Sequence, residues 1–141
     1  MKINMTNFAL LETIQMLNKF DFVTGKLGYA IARTKSKMMD ELRPFEQERS
    51  KLIQKYGVQG ENGDYSVPQD SENFTDFARE VTAIAEETVE IDFRQVSKEV
   101  FDNTDIYSDS CSAREYDLME ALFVERPAPV EGTEEVAENN G

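Results

Sequence analysis

The stretch Lys26–Tyr56, KLGYAIARTKSKMMDELRPFEQERSKLIQKY, decides the fold. Within it Ile31, Met38, Leu42, Phe45, Leu52 and Tyr56 fall on alternating steps of three and four, with Lys35 and Arg49 as the polar residues of that seam. Such steps return each side chain to one face of an α-helix, so the pattern predicts a long amphipathic helix. Pro44 interrupts it. A proline inside a helix removes a backbone donor and crowds the preceding turn, at a cost of about 3 kcal/mol. The expectation is a kink near Asp40 to Arg43, or two helices that meet there.

A second stripe follows. After Asp70 or Ser71 as N-cap, Phe74, Phe77, Val81, Ile84 and Thr88 again step by three and four, which predicts a helix over about residues 71–87. The connection YGVQGENGDYSVPQD holds Asn62-Gly63, the pair favoured in a type I′ turn, so a small hairpin or an extended loop is expected there. Two helices of matching period joined in this way pack antiparallel, stripe against stripe, near the crossing class of about +20°.

Outward from this hairpin, MKINM alternates like a strand, and TVEIDF sets Val89, Ile91 and Phe93 against charged neighbours, so the two are expected to pair. A first helix over about 7–19 carries Phe8, Leu11, Ile14, Leu17 and Phe20, capped by Thr6 or Asn7, and DFVTGK reads as a turn. Ser97 caps a short helix with Val100 and Phe101; Ser112-x-x-Glu115 is a capping box opening a last helix with Tyr116, Met119, Leu122 and Phe123. The fold class is mainly α with minor β: an antiparallel helical hairpin with additional helices and a small two-stranded element. Residues 1–126 form one domain, and PAPVEGTEEVAENNG (127–141), acidic and free of aromatics, is expected to be a disordered tail.

Composition narrows the chemistry. No apolar run approaches the roughly 20 residues of a membrane span, and MKINMTNF lacks the apolar stretch of a signal peptide, which predicts a soluble protein of the cytoplasm. The chain has no histidine, so mechanisms that need imidazole, including Ser-His-Asp and Cys-His nucleophiles and HExxH zinc sites, are excluded. Neither GxxxxGK[ST] nor GxGxxG occurs. Cys111, the single cysteine, stands between serines with no base or cation beside it in sequence, which leaves no reason for an activated thiolate.

Charge is divided unevenly. Residues 1–56 carry a net of +4 and residues 57–141 a net of −17. Glu72, Asp76, Glu80 and Glu87 read as one stripe of the third helix, opposite its apolar face. Carboxylates at that spacing lie about 5 to 6 Å apart, comparable to phosphates along a nucleic-acid strand, and a basic second helix packed alongside would screen part of them. Glu90, Asp102, Asp105, Asp109, Glu115, Asp117 and Glu120 extend the acidic region toward the end of the chain. DNTDIYSDS lacks the register of a calcium loop, and Glu86, Glu87, Glu90 and Asp92 lack the lysine that a two-metal nuclease would set among them, so neither metal nor cofactor is expected. Lys26, Arg33 and Lys37 form a basic stripe suited to the phosphate of a small nucleotide, whereas an overall charge of −13 disfavours direct nucleic-acid binding.

The run YAIARTKSKMMDELRPFEQERSKLIQKYG, then ENGDYSV, then DFAREVTAIAEETVEIDF resembles a family of small uncharacterised proteins of tailed phages and prophages of low-GC bacteria. In that family a long charged helix ends in a KYG-like turn, an ENG-rich loop follows, and a second helix ends in an E-x-VEI-like strand. The resemblance covers roughly residues 1–96 and brings no catalytic residues. It implies a viral origin, with two roles in view. One is a non-enzymatic, anti-CRISPR-like inhibitor acting in the host cytoplasm, whose acidic surface would mimic nucleic acid in the basic groove of a host defence protein, or whose basic stripe would sequester a nucleotide immune signal. The other is a virion accessory or assembly protein that forms homo-oligomers through its hairpin.

Overall fold

Gly25–Tyr56 form one continuous α-helix in the computed structural model, which describes residues 1–126; the tail expected over 127–141 lies outside them. The order of elements is β1 (Lys2–Thr6), α1 (Asn7–Asn18), α2 (Gly25–Tyr56), β2 (Val58–Gln59), β3 (Tyr65–Ser66), α3 (Phe74–Ala85), β4 (Thr88–Asp92), α4 (Lys98–Asp102) and α5 (Ala113–Phe123). Pro44 does not divide α2 into two helices. It sits on the exposed side, so the Asp40 carbonyl that it leaves without a donor can bond to water, while Leu42 and Phe45 on either side stay buried.

The hairpin is antiparallel. Tyr56, at the end of α2, meets Phe77 and Glu80 of α3, whereas Thr34 and Lys37, earlier in α2, meet Arg94 and Asp92 just after it. The connection between the helices does form a hairpin, with Val58 opposite Ser66 and Gln59 opposite Tyr65, but its turn is not type I′. The Gly63 amide donates to the Gly60 carbonyl at 3.0 Å and the Gly60 amide to the Asp64 carbonyl at 2.7 Å, with Gly63 at φ +88°. That is a three-residue loop closed by a left-handed glycine. The helix α3 is shorter than the sequence predicts because turns whose amides donate to Pro68 and Ser71 occupy its expected first turn.

Two faces differ from expectation. The buried side of α1 is Asn7, Leu10, Ile14 and Leu17, and Phe8 is 57% exposed. Asn7 sets this rotation: its side-chain amide donates to the Ile84 carbonyl at 2.9 Å and its backbone amide to the Glu87 carbonyl at 3.0 Å, so residues at steps of three and four from Asn7 turn inward. The stripe of α3 also packs less deeply than predicted. Phe74, Phe77, Val81 and Ile84 are half-buried, and no residue of α3 is fully buried.

The core lies at the other end of the molecule. Leu10, Leu17, Phe20, Leu27, Met38, Ile91, Phe93, Met119 and Phe123 are fully buried, gathering α1, the first part of α2, β4 and α5. The expected pairing of MKINM with TVEIDF forms, antiparallel, with Ile3 opposite Ile91 and Met5 opposite Val89 on the inner face. A parallel bridge absent from the sequence expectation, Val96 to Val124, ties the chain after β4 to the end of α5, and Phe93 meets Phe123 edge-on at 5.7 Å. The capping box of α5 forms as predicted from Ser112 and Glu115, and Ser97 caps α4. No helix among the described residues is long and apolar enough to cross a membrane.

Candidate functional site

The four carboxylates expected on one stripe do not share a helix. Asp76 and Glu80 lie on α3, but Glu72 precedes it and Glu87 follows it. The two on the helix are engaged internally. Asp76 pairs with Arg79, and Glu80 accepts the Tyr56 hydroxyl and lies 3.6 Å from the Lys55 ammonium. The hydrogen bond to Glu80 raises the Tyr56 phenol above its ordinary range, since ionising it would set two anions face to face.

The remaining acidic residues divide in the same way. Lys98 joins α4 to α5 by pairing with Asp102 at 2.8 Å and Glu120 at 3.4 Å, and the hydrogen bond to Asp102 raises its own pKa. Glu115 accepts the Ser112 amide at 2.8 Å and pairs at 2.8 Å with Lys19, which caps the C-terminal end of α1; the bond to Lys19 is the largest of the effects that hold its carboxyl below the usual range. Asp105 accepts the Tyr107 amide at 3.1 Å and Asp109 the Tyr107 hydroxyl at 2.8 Å, so the DNTDIYSDS loop uses both to shape itself. Glu72, Glu87, Glu90 and Asp117 are exposed and have no ion-pair partner among the described residues. Also among the described residues, no three acidic or cysteine side chains come together to hold a metal ion.

Among the described residues, the ion pairing expected between the second and third helices is confined to Lys55 and Glu80. Lys26, Arg33 and Lys37 sit in the first half of α2, whereas the antiparallel course lays α3 along its last part. Instead the basic residues gather around Tyr29. The Arg33 guanidinium donates to the Tyr29 hydroxyl at 2.8 Å and lies 5.7 Å from the ring centroid, and Arg94 approaches the same ring at 5.1 Å. Arg94 is held there by its backbone amide, which donates to the fully buried Thr34 hydroxyl at 3.0 Å. Lys26, Tyr29 and Arg94 line an open cleft of about 550 Å³, with Gln95, Ser97 and Glu125 also on its wall. Lys37 turns elsewhere, donating to the Asp92 carbonyl at 3.3 Å. Neither Tyr29 nor Arg94 belongs to the predicted stripe, and their meeting rests on contacts that span 65 residues of chain.

A larger groove of about 770 Å³ runs between α1 and α5. Met5, Met16, Leu118 and Leu122 supply apolar lining, with the Lys19–Glu115 pair at its rim and Cys111 half-buried in its wall. Comparison with known proteins finds no matching family model, curated protein or solved structure.

Proposed function

We propose that the protein is a phage-encoded, non-enzymatic inhibitor that binds a host defence nuclease or effector stoichiometrically through its acidic surface. The observation that carries this reading is the surplus of exposed carboxylate left after internal pairing, represented by Glu72, Glu87, Glu90 and Asp117. Carboxylates fixed on a folded surface and lacking cationic partners raise the local negative potential, which speeds encounter with a basic groove and weakens as salt screens it. Asp76 and Glu80 contribute charge but are tied to Arg79, Tyr56 and Lys55, so the contact is assigned chiefly to the unpaired set.

The test is binding to a panel of guided effector nucleases with basic nucleic-acid grooves, followed across salt concentration. Tight binding that falls steeply with salt, and is lost by at least a hundredfold in E72K/E87K/E90K/D117K, is the expected result. Retention of affinity in that variant would sink the reading.

One observation favours a second reading, a virion assembly protein that self-associates through the hairpin. Val58 and Tyr65, at the far end of the hairpin, are 60% and 43% exposed, beside the half-buried stripe of α3. Mass spectrometry of purified particles separates the two: stoichiometric amounts support assembly, and traces support inhibition.

A further inference from the structure

The cleft at Tyr29 concentrates positive charge on a chain whose net charge is −13. Lys26, Arg33 and Arg94 have no ion-pair partner among the described residues, although acidic residues outnumber basic ones by nearly two to one in the sequence. Among the described residues, Glu125 is the one carboxylate on the wall of the cleft. Cations gathered with a single carboxylate in reach repel one another unless an anion joins them. The backbone adds to this field. Gly25 and Lys26 open the 32-residue α2 at the same cleft, the Thr24 side chain makes no capping bond there, and no acidic residue stands in the first turn.

The remaining wall defines the other end of a ligand. Tyr29 is 51% exposed, yet its ring is held by one guanidinium bonded to its hydroxyl and by a second against the ring. A rigid, accessible aromatic beside planar cations is a surface on which a nucleobase stacks. The Gln95 Nε2 donates to the Leu122 and Val124 carbonyls and the Ser97 hydroxyl accepts the Val100 amide, while Glu125 offers a carboxylate acceptor for hydroxyl or amino donors. The volume, about 550 Å³, lies within the range of small-ligand sites.

We propose that this cleft binds a nucleoside monophosphate, with the phosphate on Lys26, Arg94 and the first-turn amides of α2, the base on Tyr29, and the sugar hydroxyls toward Glu125. The site shares no residue with the acidic contact surface proposed above, so its failure leaves that reading intact, and the reverse holds as well. Relative to the basic stripe read from sequence, it keeps Lys26, leaves Arg33 off the wall as the residue that holds the Tyr29 hydroxyl, excludes Lys37, and adds Tyr29 and Arg94.

Isothermal titration of the full chain at low salt with the four common ribonucleoside monophosphates, ribose 5-phosphate, inorganic phosphate and adenosine tests the assignment. At least one monophosphate should bind about tenfold more tightly than ribose 5-phosphate, because stacking is lost with the base. R94A and Y29A should each weaken it by about tenfold or more, while Y29F, which keeps the ring, and K37A should retain binding. Unchanged thermal unfolding of R94A, whose side chain lies outside the core, guards against misreading a folding defect in Y29A. Flat traces for all four monophosphates would overturn the proposal. So would equal affinity for inorganic phosphate, the behaviour of an adventitious anion site, or full affinity in both R94A and Y29A.

Discussion

Asn7 ties the start of α1 to the end of α3. It is a buried polar residue whose side-chain and backbone amides donate to carbonyls at and just beyond the end of α3, where intrahelical donors run out. N7A removes the side-chain donor and leaves the Ile84 carbonyl with only the Glu87 amide at 3.3 Å, at an expected cost of about 0.5 to 1.5 kcal/mol in urea unfolding. The same rotation predicts opposite outcomes at neighbouring apolar positions. F8S should change stability by no more than about 0.5 kcal/mol, the usual range for a surface site, whereas L10A, fully buried, should cost about 2 to 5 kcal/mol. If F8S proved the more damaging, the Phe8 stripe read from periodicity would be right and the observed face wrong. Gly28 is a further residue-scale constraint. A Cβ there would collide with the Val23 carbonyl, so the turn after α1 lies directly on α2.

At the scale of elements, α5 is fixed by a small electrostatic assembly at its start. Glu115 completes the capping box with Ser112 and also pairs with Lys19, the C-cap of α1. Its carboxyl is held below the ordinary value in the folded state, so the assembly contributes stability that is present above the unfolded carboxylate pKa of about 4.3 and is lost as pH falls through the lower folded value. Asp92, held down by the N-terminal amine 3.2 Å away, acts in the same direction. The melting temperature should therefore fall as pH drops below about 5, and in E115Q that fall should be shallower, with the wild-type advantage confined to higher pH. Parallel pH profiles of the two proteins would count against this role for Glu115. S112A should lose about 1 kcal/mol through its cap. This part of α5 was legible in the sequence because a capping box is local; the partner Lys19 was not, since nothing near either residue in the chain points to the other.

At the scale of the whole molecule, stability is unevenly distributed. Among the described residues, all the fully buried side chains belong to α1, the turn after it, α2 before its last turns, β4 and the segments after it, while α3 buries none completely and β2–β3 is a two-residue pairing. Native-state hydrogen exchange should accordingly show α3 and the β2–β3 hairpin opening at lower free energy than α1, β4 and α5. Equal protection throughout would mean that the half-buried stripe of α3 is covered in solution, as the assembly reading requires.

By itself the sequence determined the secondary elements and the pairing of the outer strands, because helical period, strand alternation and capping residues act within a few neighbours along the chain. It also determined the charge division. Only the tertiary structure decided which face of α1 turns inward, that Pro44 leaves α2 continuous, and that Lys26 and Arg33 of the basic stripe pass α3 by to gather with Arg94 around Tyr29. Each of these depends on a group far away in the chain: a helix-end carbonyl for Asn7, the exposed side of the fold for Pro44, and the buried Thr34 hydroxyl that holds Arg94. Periodicity reports that a residue repeats on a face; the partner that rewards burial of that face is set by packing.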